Sequence, residues 1–111
     1  MTGSVDTETL TMLKEVMEDD FPQLITTYLD DATTRIAQLT PLLGAADCDE
    51  LRHCAHSLKG SSSNLGATAL ADMCFEIEAK AKEQQLDGLE SCIHNIEKEF
   101  DVVRSVLEEL L

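Results

Sequence analysis

The segment from His56 to Gly60 contains residues that could handle a phosphoryl group from one side of a helix. Lys59, Gly60 and Ser63 follow His56 by three, four and seven residues. In a helix, residues with this spacing lie in one stripe along the same face. An exposed histidine is mostly neutral at pH 7, and its free ring nitrogen can attack phosphorus. Lys59 could balance an added anion, Gly60 could give a macromolecule room to approach, and Ser63 could donate its hydroxyl. This spacing predicts a histidine that is phosphorylated and then recognised by a partner protein.

We expect this stripe of the helix to face solvent. The apolar positions of the helix, together with the small Ser62, fall on roughly the opposite side: Leu51, Ala55, Leu58, Ser62 and Leu65. The run of small residues at 60–64 costs roughly 3 kcal/mol of helix propensity relative to alanine. We nevertheless predict that the helix continues through it, because Leu58, Ser62 and Leu65 keep the register of the apolar side.

Apolar periodicity predicts five helices, at about 7–17, 21–43, 48–65, 67–84 and 88–110. Each stripe covers only one face, so the four long helices need one another. The predicted fold is all-α, an antiparallel up-and-down four-helix bundle, with the short first helix across one end. We expect a single domain spanning 1–111.

Particular residues are assigned to the ends and stripes of these helices. Asp20 is expected to cap the second helix, Thr40-Pro41 and Gly44 to end it, and Asp47 or Asp49 to cap the third. Val16 is predicted to belong to the apolar stripe of the first helix, and Leu110 to that of the last.

Charge restricts the partners. The formal net charge is −14, from 22 acidic and 8 basic residues, and such a surface repels nucleic-acid phosphates and anionic membranes. We find no 18-residue apolar run and no signal-peptide pattern, and expect a cytoplasmic protein.

The four cysteines are scattered and are expected to be structural thiols. We favour a monomer because the apolar stripes of the four long helices can pack against one another within one chain.

The segment 56–67, His-Ser-Leu-Lys-Gly-Ser-Ser-Ser-Asn-Leu-Gly-Ala, resembles the signature of histidine-containing phosphotransfer (HPt) domains. The resemblance, to the stand-alone bacterial type, covers nearly the whole chain. It implies that His56 accepts a phosphoryl group on Nε2 from a receiver-domain aspartate and passes it to another receiver. The family's lysine and glycine fall on Lys59 and Gly60, and its later glycine on Gly66, at the end of the helix.

The resemblance also implies the partners, which are the receiver domains of a hybrid sensor kinase and of a response regulator. The receiver would bring magnesium and most of the transfer machinery. The chain itself would be a phosphocarrier without autonomous catalytic activity, and no cofactor or metal is predicted on it.

Two other functions remain open. The bundle could be a phosphate-independent adaptor or inhibitor that binds a kinase or receiver. It could also be a metal or redox bundle that uses its cysteines and His53, which precedes His56 by three residues. The retained His56, Lys59 and Gly60 argue against the adaptor, and the absence of a further ligand pair argues against the metal site. His94 is interpreted as a surface residue.

Overall fold

The computed structural model describes residues 5–111, and this part of the chain is helical with no strand. The α-helices are α1 (Thr7–Met17), α2 (Phe21–Gly44), α3 (Cys48–Asn64), α4 (Thr68–Lys82) and α5 (Leu89–Glu108). A short 3₁₀ turn, Glu18–Asp20, joins α1 to α2. Residues 1–4 of the expected domain lie outside the described residues.

The four long helices form a bundle in which each has two neighbours. α3 packs against α2 and α4, and α5 packs against the same two helices, so α3 and α5 lie diagonally opposite each other. α1 contacts the beginning of α2 and the turn before it. This arrangement confirms the predicted all-α bundle with a short additional helix.

The core is mostly aliphatic and forms where the apolar stripes meet inside the bundle. The stripe of α5 is at most 3% exposed at each of Leu89, Ile93, Ile96, Phe100, Val103 and Leu107. Two assignments at the edges of stripes are wrong. Val16 is 79% exposed because α1 buries Leu10 instead, and Leu110 is 36% exposed because it lies in a turn beyond the end of α5.

α2 ends at Gly44, as predicted, but Asp20 and Pro41 do not have the predicted roles at its ends. Asp20 does not cap the helix through its side chain, because its own backbone is already helical and the 3₁₀ turn runs directly into α2. Pro41 lies inside the helix rather than ending it. A proline lacks an N–H and disfavours the interior of a helix, but here the next turn is still closed by Ala45 N–H donating to the Pro41 carbonyl at 3.0 Å. Asp47 caps α3 by accepting from the Glu50 amide at 3.2 Å.

The run of small residues at 60–64 is helical, as the register predicted. Ser62 is fully buried, and its hydroxyl lies 2.8 Å from the Tyr28 hydroxyl of α2. Burial raises the pKa of Tyr28 to about 12. The small Ser62 therefore allows α2 and α3 to approach closely, and the hydrogen bond fixes the register between them.

Candidate functional site

The predicted stripe of α3 is displayed at the surface beside α4. The His56 side chain is 65% exposed, as the phase of the helix predicted. Leu58, the neighbouring core position, is fully buried and anchors the helix from the other side. A residue that the sequence had not singled out, Glu78 of α4, lies against the stripe and contacts both His56 and Lys59.

Glu78 determines which ring nitrogen of His56 is available. His56 Nδ1 lies 2.8 Å from Glu78 Oε2, and the carboxylate can only accept. In the neutral ring Nδ1 therefore carries the hydrogen, and Nε2 retains its lone pair. The ring is exposed and held at one nitrogen, so the other nitrogen is the nucleophile that this geometry offers.

The charge of Glu78 is maintained by the same contacts. Partial burial raises its pKa, but the contacts with Lys59 and His56 together outweigh this effect, so the pKa lies below its ordinary value of 4.5. Glu78 is therefore ionised at neutral pH. Its Oε1 is shielded from solvent, and the Lys59 ammonium compensates it as an ion pair at 2.8 Å.

Lys59, predicted from the sequence as a charge that could balance an added anion, already has a counter-charge in this structure. Besides the ion pair with Glu78, its Nζ lies 5.1 Å from the centre of the Phe75 ring, in a cation–π contact. Phe75 and Glu78 are three residues apart on α4 and hold the ammonium from two sides. Lys59 is thus preorganised next to His56, with its charge balanced by a carboxylate in this state.

Gly60 and Ser63 follow His56 on α3, and the hydrogen bond of the described ring is to Glu78 rather than to Ser63. A Cβ atom added at Gly60 would meet nothing within 4 Å, so the fold of this chain does not itself require glycine there. The surface beside Gly60 is open. The exposed Ser63 hydroxyl makes no hydrogen bond with any described residue, and its predicted role in holding the ring or phosphate is not visible in this state.

Gly66 terminates α3 and lies apart from the phosphoryl site. Its φ of 81° lies in the left-handed region. The amide of Gly66 donates to Ser63 O at 3.0 Å and that of Ala67 to Ser62 O at 2.9 Å, which is the Schellman pattern. The family-derived glycine is therefore a structural residue here.

The remaining histidines and cysteines have surface or core environments. His53 lies beside Arg52 at 3.4 Å, and His94 lies 3.8 Å from Glu97. All four cysteines are free. Within residues 5–111, no three or more histidine, cysteine or acidic side chains are grouped so that they could hold a metal ion. No described helix is long and apolar enough to cross a membrane.

Replacing Glu78 by glutamine is expected to lower the free energy of unfolding at pH 7 by about 1 kcal/mol, because Lys59 loses its counter-charge. The folded-state pKa of Glu78 is lowered, so its contribution is present above its ordinary value of 4.5 and is lost as the pH falls through the lower folded value. Urea unfolding at pH 7 and near pH 3 checks this. Glu15→Gln, at an exposed position of α1, gives the same charge change as a control. A difference between Glu78→Gln and wild type that stays constant with pH would contradict the assignment.

The chain matches the family model of the Hpt domain over residues 23–110. Its structure is similar to that of histidine-containing phosphotransfer protein B (HptB) from Pseudomonas aeruginosa PAO1, with a TM-score of 0.94 and 39% identity. That match covers 98% of this chain and 95% of the other.

Two more proteins are similar to this chain. The phosphorelay protein LuxU of Vibrio harveyi is 33% identical over 79 residues, which are 69% of each chain. The histidine-containing phosphotransfer protein ZmHP2 from maize has a TM-score of 0.85 at 26% identity, over 98% of this chain and 90% of that one.

Proposed function

Since the chain belongs to the Hpt domain family and acts in phosphorelay histidine phosphotransfer, we propose that His56 is its phosphorylated residue and Nε2 the atom that carries the phosphoryl group. The observation that carries this proposal is the 2.8 Å contact between His56 Nδ1 and Glu78, on a ring that is 65% exposed. Such a ring presents one unprotonated nitrogen to any partner that docks on α3.

The transfer moves one phosphoryl group from the carboxylate oxygen of a receiver's aspartate to a ring nitrogen of His56. The lone pair of Nε2 attacks the phosphorus of a receiver's aspartyl phosphate, a P–N bond forms, and the P–O bond to the aspartate breaks. The aspartate leaves as a carboxylate, and the ring keeps its Nδ1 proton and gains a positive charge. Glu78 lies against that charge and stabilises it. Attack by the aspartate of a second receiver reverses these steps.

Lys59 and Gly60 support the transfer in different ways. The ion pair with Glu78 already holds the Lys59 ammonium one turn from His56. The lysine side chain is long and flexible enough to move its ammonium from Glu78 to the phosphoryl oxygens once the group is bound. Phosphoryl transfer depends mainly on positioning and on neutralising charge, which is what this residue provides. Gly60 leaves the approach to the ring open. We assign Ser63 only a place at the edge of this surface.

The partners follow from the chemistry. The donor and acceptor are receiver domains, of a hybrid sensor kinase and of a response regulator, and each supplies the magnesium and the aspartate. The chain is a carrier without autonomous activity and requires no cofactor of its own. We propose that it acts as a monomer, because the bundle buries its stripes within one chain, and in the cytoplasm, where four free thiols stay reduced.

The site of phosphorylation is tested by labelling the protein with a phosphorylated receiver domain and recording its phosphorus NMR spectrum. We expect one acid-labile phosphohistidine with the shift of the Nε2 isomer, and peptide mapping should place it on His56. Label on Nδ1, on another residue, or on no residue at all would overturn the proposal. Phosphoramidate, a small phosphodonor that needs no docking, serves as the reference for chemical reactivity.

A further inference from the structure

A groove of about 340 Å³ opens beside His56 between α3 and α4. Its lining residues are Lys59, Gly60, Ser63, Asn64, Ala71, Asp72 and Phe75. Lys59 and Gly60 belong both to the groove and to the proposed phosphoryl site, so the two are continuous. A receiver domain that brings its aspartate to His56 must therefore cover this groove as well.

Phe75 is the apolar wall of the groove and is unusual for this chain. The other phenylalanines, Phe21 and Phe100, are 2% and 3% exposed, whereas Phe75 is 55% exposed. The ring contacts the Lys59 ammonium and still leaves more than half of its surface free. An exposed aromatic face next to a reaction site is a natural contact for a cation or an apolar group.

The charge of Asp72 favours a cation over a purely apolar group in this groove. Asp72 lies one turn before Phe75 on α4, is exposed, and makes no ion pair within residues 5–111. The Lys59 charge at the other side is already balanced by Glu78. The groove thus combines an aromatic face with an unpaired carboxylate, within a chain of net charge −14.

We propose that this groove receives an arginine or lysine side chain of the receiver domain. Its apolar stem lies along Phe75 and its charged end reaches Asp72. The inference rests on the proposed function and adds to it a pair of residues that select the partner. Receivers with a cation at the matching position are bound well, and receivers with an acidic residue there are rejected by Asp72.

The test measures transfer from a phosphorylated receiver domain, chosen because it labels the wild-type protein, to Phe75→Ala and Asp72→Asn. Val102→Ala and Asp101→Asn are matched controls on α5, diagonally opposite α3, where Val102 is 41% exposed and Asp101 is also exposed. Each rate is divided by the rate of labelling with phosphoramidate, which reports on His56 without docking. Thermal melting verifies that each variant is folded.

We expect Phe75→Ala to raise KM for the receiver about tenfold, because the apolar stem of the incoming side chain loses the ring on which it packs. Asp72→Asn should raise KM about fivefold and weaken its dependence on salt between about 50 and about 200 mM. KM values equal to those of the α5 controls would overturn the proposal. So would a fall in kcat at constant KM, because Phe75 would then act only by positioning Lys59. Failure of the proposed function looks different: phosphoramidate would label wild type, and no receiver would.

Discussion

Replacement of His56 by glutamine is expected to reduce receiver-dependent labelling to background. The amide of glutamine cannot attack phosphorus, and neither of the other histidines is held by Glu78, since His53 pairs with Arg52 and His94 lies near Glu97 on α5. The bundle should be unaffected. The His56 side chain is 65% exposed, and surface substitutions of this kind change stability by about 0.5 kcal/mol or less. Quantifying radiolabel from a phosphorylated receiver, together with thermal melting, checks both statements.

His53→Gln and His94→Gln are the matched controls, because each removes one imidazole from the same bundle. Both should be labelled at the wild-type rate. Equal labelling of His56→Gln and wild type would remove His56 from the reaction. Unlabelled His56→Gln that still supports signalling in cells would favour the phosphate-independent adaptor instead.

The sequence was sufficient for the features of α3 that depend on the phase of that helix alone. The exposure of His56 and the burial of Ser62 both follow from the phase of a single stripe on α3. The helix through residues 60–64 is the sharper example. Local propensity favoured a break there, but the register of Leu58 and Leu65 proved the better guide, since burying both leucines offsets the cost of the small residues.

The sequence was insufficient where the site depends on two helices. α4 carries several acidic residues, and nothing in their spacing distinguishes Glu78 from Glu76 as the partner of His56 and Lys59. The choice is made by the register between α3 and α4, which side-chain packing in the core determines. For the same reason the sequence gave no sign that Lys59 is paired with Glu78 or that Phe75 stays exposed.

Gly66 performs two structural tasks that a larger residue cannot combine. It closes α3 in a left-handed conformation, and its carbonyl accepts the Asp6 amide at 2.8 Å. Asp6 in turn caps α1 by accepting from the Glu8 amide at 3.0 Å. The end of α3 is therefore joined directly to the start of α1, and both depend on Gly66.

Gly66→Ala is accordingly expected to destabilise the protein by about 2–4 kcal/mol. The left-handed backbone alone costs an L-residue about 1–2 kcal/mol. The added Cβ would also lie 3.1 Å from Asp6 Cβ, Asp6 O and Thr9 Cβ, so α1 must shift to accommodate it. Urea unfolding and the melting temperature measure the loss, which should amount to at least 8 °C for a domain of this size.

Two other glycines separate the causes of this effect. Gly88 has nearly the same φ, 80°, but a Cβ there meets nothing within 4 Å, so Gly88→Ala should show the backbone cost alone. Gly60 is helical and also open, so Gly60→Ala should stabilise the bundle by up to about 1 kcal/mol. The excess of the Gly66 loss over the Gly88 loss then measures the docking of α1. Equal losses at both positions would mean that α1 yields without cost and that Gly66 is needed only to end α3.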